Sequence, residues 1–118
     1  MRTLLTGLSL AVLLPVSALA ADLVGEWSNE PDNCDEMRVI YGADGDHPTK
    51  INAAGDWVVV NEATFERDGD VVSVTQDGRT DFWDIVELDD ERVHMVNQDP
   101  EAEEFGVGET ELFRCEPR

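Results

Sequence analysis

The chain has 118 residues, with 27 Asp and Glu set against eight Lys and Arg, a formal net charge of −19 and two cysteines. Such a charge excludes nucleic acid and anionic membrane surfaces as partners, because phosphate contacts need Lys and Arg that are missing here. The length suits one domain and leaves no room for a second.

The chain opens with Arg2, an apolar run from Leu4 to Leu14, and Ala18-Leu19-Ala20 before Ala21. This is the pattern of a cleavable secretory signal over residues 1–20. The run is well short of the roughly twenty residues that span a membrane, so no membrane insertion is expected after cleavage. No cysteine stands at the cleavage point to accept a lipid. Residues 21–118 then form the single mature domain, periplasmic or secreted, with a formal charge of −20 because Arg2 leaves with the signal.

Beyond residue 20 the apolar residues alternate in short runs divided by turn chemistry, which predicts an all-β fold. Leu23, Gly25 and Trp27 share one face of a first strand. Asn29 to Glu36, interrupted by Pro31, reads as an acidic loop. Met37, Val39 and Tyr41 share a face of the next strand, and a short strand around Lys50 and Ile51 is an optional addition. A long run follows, with Trp57, Val59, Ala63 and Phe65 on one side and Val58, Val60, Glu62 and Thr64 on the other. Asp68-Gly69 and Asp77-Gly78 are turn dipeptides, and they join that run to Val71–Thr75 and Thr80–Leu88 as a meander. Val93 and Met95 face inward on a further strand. Pro100 to Gly108 is an acidic, glycine-bearing segment expected to be a mobile loop, and Thr110 to Cys115 ends the fold. Seven or eight antiparallel strands hide their edges most simply by closing, so the expected architecture is a small up-and-down barrel.

Cys34 and Cys115 are an even pair without metal-ligand spacing, which in an exported chain reads as a disulfide. A bridge across 81 positions ties the start of the fold to its end.

Leu23-Val24-Gly25-Glu26-Trp27 resembles the Gly-x-Trp opening strand of lipocalin-like barrels, in which the tryptophan closes one end. Small exported barrels of the bacterial periplasmic metalloproteinase-inhibitor type are similar in size, signal and strand spacing. The chain departs from them in two respects: only Ala21 and Asp22 precede the first strand, and Cys115 lies almost at the chain end. Bacterial lysozyme inhibitors are also small exported barrels and meet a basic target, but their Ser-Gly loop motif is not evident here. The resemblance implies architecture and carries over no inhibitory residue.

The supply of catalytic groups is thin, and no enzyme is expected. Ser28 and Ser73 lie in no nucleophile elbow, and oxidised cysteines leave no thiolate. Asp84, on a face with Phe82, Val86 and Leu88, reads as a wet strand position. Asp44-Gly45-Asp46-His47 has too few ligands for calcium and no zinc spacing, so it reads as a solvated turn and no metal or cofactor is expected. His94, between Val93 and Met95, points outward.

Three readings of function follow. The first is a non-enzymatic exported binding module, in the manner of an inhibitor, that meets a basic protein or hydrolase through acidic loops carrying Asp32, Asp35, Glu36, Glu101, Glu103 and Glu104. The second is a carrier of a small apolar ligand in a barrel lined by Trp27, Trp57 and Trp83. The third is an acidic envelope protein with no specific partner. Self-repulsion favours a monomer in each case.

Overall fold

The computed structural model describes residues 22–116, and the expected signal over residues 1–20 lies outside them. Among the described residues nine strands form one antiparallel sheet: β1 (Gly25–Ser28), β2 (Met37–Tyr41), β3 (Thr49–Ala53), β4 (Asp56–Asn61), β5 (Thr64–Asp68), β6 (Val71–Gln76), β7 (Arg79–Leu88), β8 (Arg92–Asn97) and β9 (Glu109–Arg114). Their order across the sheet is β4-β3-β2-β1-β9-β8-β7-β6-β5. The all-β expectation therefore holds, with nine strands in place of seven or eight.

Two-residue turns make the hairpins, and each uses positive φ to match the twist of its strands. Ala54 and Gly55 join β3 to β4, and Asp77 and Gly78 join β6 to β7, with both residues at positive φ in each turn. Between β5 and β6 the turn residues are Gly69 and Asp70, one step later than the expected Asp68-Gly69, and only Gly69 has positive φ.

One face of the sheet carries the core. Leu23, Trp27, Tyr41, Val72, Ile85, Leu88, Val93, Met95 and Leu112 are buried there, with Val39, Phe65, Val74 and Trp83 packed against them. Of the expected sets, Leu23 and Trp27, Val39 and Tyr41, and Val93 and Met95 are found there, whereas Met37 is not among the core residues. Trp27 has no exposed surface, and its indole N–H donates to the Leu23 carbonyl at 3.0 Å. The Arg114 guanidinium lies over the indole at 4.2 Å from the ring centre. A Cβ at residue 25 would come within 2.5 Å of Arg114 Nη1, so glycine two before the tryptophan is what admits this arginine.

The expected long strand from Trp57 to Phe65 is two strands at opposite edges of the sheet. Up to Asn61 the chain pairs with β3, and from Thr64 it pairs with β6. The ladder of β3 with β4 jumps from Thr49↔Asn61 to Lys50↔Val59, leaving Val60 without a partner. Such a bulge changes which residues share a face. Val59 lies on the outer face beside Lys50 and Arg38, whereas Phe65 packs on the core. A second bulge leaves Val86 unpaired between Ile85 and Glu87, and it brings Leu88 to the core face together with Ile85. Leu88 therefore does not share the face of Phe82 and Asp84, as simple alternation predicts.

The sheet does not close into a barrel, because no ladder joins β4 to β5. Its two ends meet at a corner. Asp46, in the β2–β3 loop, forms an isolated bridge with Thr64; the His47 N–H donates to the Ala63 carbonyl and the Phe65 N–H to the Gly45 carbonyl, both at 2.9 Å. Across the remaining gap the amides of Asn61 and Gln76 bond each other reciprocally.

Cys34 and Cys115 form the expected disulfide, with Cα atoms 5.7 Å apart and a sequence separation of 81. Arg38, buried on the outer face beside it, gathers the surrounding acceptors. Its Nε donates to the Cys34 carbonyl at 2.8 Å, and its Nη1 donates to Glu26 Oε1 at 2.9 Å and to the Glu116 carbonyl at 3.1 Å. A buried guanidinium is tolerated where its donors find partners in this way.

Candidate functional site

The core face of β6, β7 and β8 continues past the buried core and becomes the floor of a cleft of about 570 Å³. Register aligns Val74 with Asp81 and Trp83 with Asn97, so these side chains stand on the same face. The far wall is a 3₁₀ helix, Pro100–Phe105, followed by Val107.

That helix replaces the expected mobile loop, and its signals are local. The Asp99 side chain accepts the Glu101 N–H at 2.9 Å as an N-cap. Pro100 fills the first turn, where a missing N–H costs nothing. Gly106 ends the helix in the left-handed conformation, with φ 75°. Ala102 is buried, and its carbonyl accepts the Val107 N–H at 3.0 Å, which closes the C-terminal end of the helix.

The cleft is amphipathic. Val74, Trp83, Ala102, Phe105 and Val107 supply apolar surface, and Phe105 is 78% exposed. Asp77, Asp81, Asp99 and Glu101 supply four carboxylates against one cation, Arg79. The Arg79 Nη2 stands 3.6 Å from Asp81 Oδ1, and the Arg79 side chain is 76% exposed. The formal charge of the lining is therefore −3.

The residues singled out from sequence do not share one site. Trp83 and Glu101 line the cleft. Trp27 is wholly buried in the core. Trp57 lies on the outer face in a small hollow with Glu26, Arg38, Ile40 and Lys50, with the Arg38 guanidinium 5.8 Å from its ring centre. The three indoles thus line no common cavity. Asp35 borders a hollow at the disulfide with Pro31, Arg38 and Arg114, while Asp32 and Glu36 are exposed on the same loop. Glu103 and Glu104 are exposed on the 3₁₀ helix. The two acidic loops therefore border different cavities. Alternation and turn reading missed Asp77, Asp81, Asp99 and Phe105 as site residues. The Asp-Pro start and Gly end of the helix were the available signal for Asp99 and Phe105.

The remaining candidates are accounted for by local contacts. Ser28 is buried, and its hydroxyl donates to the Met37 carbonyl at 2.8 Å. Asp84 Oδ1 accepts from Gln98 Nε2 at 2.8 Å on the outer face. Asp44 Oδ1 accepts the Asp46 N–H at 3.0 Å, which closes that turn on itself. His94 points away from the core and pairs with Glu109 at 2.7 Å. His47 instead turns inward, stacked on Tyr41 at 4.1 Å, with Nδ1 2.9 Å from the Ile40 carbonyl. Burial holds its imidazole below the ordinary value, with the Ile40 hydrogen bond pulling the other way. Burial likewise pushes the Tyr41 hydroxyl far above its ordinary value. Among the described residues no three His, Cys, Asp or Glu side chains converge to hold a metal ion.

Comparison with known proteins finds no matching family model, no matching curated protein and no matching solved structure.

Proposed function

We propose that this protein is a non-enzymatic exported binding module that meets a basic protein through the cleft between the β6–β8 floor and the 3₁₀ helix. The observation that carries the reading is the cleft's composition, apolar surface bordered by four carboxylates and a single cation. A cationic side chain with an apolar stem satisfies both parts of such a lining, and the surrounding charge of −19 steers basic partners toward it. The disulfide is compatible with an oxidising, exported location. Within this reading the curled sheet acts as an incompletely closed relative of the small Gly-x-Trp barrels, held at its corner by the Asp46–Thr64 bridge.

The test is a titration of the oxidised protein with lysozyme as a basic probe, followed by amide chemical shifts. Shifts should cluster on Asp77 to Trp83 and Asp99 to Val107, and affinity should weaken as ionic strength rises. The double variant Asp81→Asn, Glu101→Gln should bind about three- to tenfold more weakly. Shifts spread evenly over the acidic surface, or affinity unchanged in that variant, would overturn the cleft as the contact.

A further inference from the structure

We infer that the group the cleft receives is a guanidinium, the side chain of an arginine on the partner, and that Arg79 is its internal stand-in. The inference rests on the cleft being the contact surface proposed above, and it narrows the chemistry of what enters.

Three features select guanidinium over ammonium. The first is the pair of aromatic rings, the Trp83 indole and the Phe105 phenyl ring, both in the lining. A flat, delocalised and weakly hydrated cation stacks on such faces, whereas a compact ammonium keeps its water. The second is the carboxylate supply. Asp77, Asp81, Asp99 and Glu101 offer oxygens around one opening, and a forked donor engages two oxygens at once where an ammonium acts as a point charge. Asp99 Oδ1 already accepts the Glu101 N–H, so the recognition falls mainly to Asp77, to Glu101 and, once Arg79 has left it, to Asp81.

The third feature is that the chain places an arginine of its own in the cleft. Arg79 follows the Asp77-Gly78 turn, pairs with Gln76 in the ladder and reaches Asp81, two residues on and on the same face. The pair is long, at 3.6 Å, and most of the Arg79 side chain is in solvent. An exposed pair of this kind is weak. An arriving arginine can therefore displace Arg79 from Asp81, and Arg79 can turn outward without losing a buried contact.

The experiment compares two glycine–serine peptides of equal length and charge, one bearing arginines and one bearing lysines, titrated into the oxidised protein at low salt. The arginine peptide should bind at least about threefold more tightly, and this preference should shrink in Phe105→Ala, whose ring is 78% exposed. Arg79→Gln should tighten arginine-peptide binding about two- to threefold, beyond the general gain from removing one positive charge. Arg67→Gln, on β5 and outside the cleft lining, measures that general gain. Equal binding of both peptides at the cleft overturns the guanidinium assignment while leaving the cleft as contact. Equal gains in Arg79→Gln and Arg67→Gln overturn the stand-in role. Absence of cleft shifts with either peptide and with lysozyme overturns the proposed function itself.

Discussion

His47 shows how one side chain takes its character from long-range packing. In sequence it belongs to an acidic turn, Asp44-Gly45-Asp46-His47. In the fold it stacks on Tyr41 and meets the edge of Phe65 with ring centres 6.0 Å apart, at the corner where the two ends of the sheet touch. Burial lowers its proton affinity in the folded state, so the unfolded chain binds a proton first as pH falls. Stability should therefore be full above the ordinary imidazole value of about 6.5 and should decline as pH drops through it toward the lower folded value. Thermal unfolding at pH 7.5 and at pH 5.5 should show this loss, and His47→Phe, which keeps a stacking ring, should lessen it. An equal loss in the variant would assign the pH response to groups other than His47. The tryptophans make the same point from the other direction. All three were legible as apolar anchors, but whether each faces core, outer hollow or cleft follows from strand register, which the residue type does not encode.

At the scale of elements, turn chemistry was the most readable part of the sequence. Asp77-Gly78 sits where expected, with both residues at positive φ. The Ala54-Gly55 turn is the unexpected counterpart, since Ala54 has φ 57°, a conformation that strains a residue with a Cβ. Ala54→Gly should relieve that strain, and Ala54→Asn would create the favoured Asn-Gly turn. Each should raise stability by up to about 1 kcal/mol, read as a higher urea midpoint. An unchanged or lower midpoint in both would show that the hairpin tip carries no strain. Faces were less readable than turns. Alternation assigned Val59 and Phe65 to one side, and Phe82 and Leu88 to one side, yet each pair is split by an unpaired valine. Both bulge residues, Val60 and Val86, are about half exposed, at 52% and 54%. Nothing in Val58-Val59-Val60 or in Ile85-Val86-Glu87 marks which residue lacks a partner, because that depends on the strand lying opposite.

For the whole molecule, the disulfide and the corner contacts hold together a sheet whose ends are otherwise unpaired. The Cys34–Cys115 bridge closes a loop of 81 positions, and a loop of that length should contribute about 4–5 kcal/mol by restricting the unfolded chain. The double variant Cys34→Ser, Cys115→Ser should lose most of this in urea unfolding, and reduction of the parent protein should reproduce the loss. A loss below about 1 kcal/mol would mean that Arg38, with its bonds to Cys34, Glu26 and Glu116, suffices to join the chain ends. The sequence by itself determined the all-β class, the cysteine pair, most strand positions and the acidic character, since alternation, turn dipeptides and composition are local properties that survive without a fold. Only the tertiary structure decided that Trp57 and Phe65 belong to opposite edges, that the sheet stays open between β4 and β5, and that Asp81, Trp83, Asp99 and Phe105 border one cleft. Those outcomes depend on which distant strands pair and at which register, and pairing free energy is shared by both partners and written in neither.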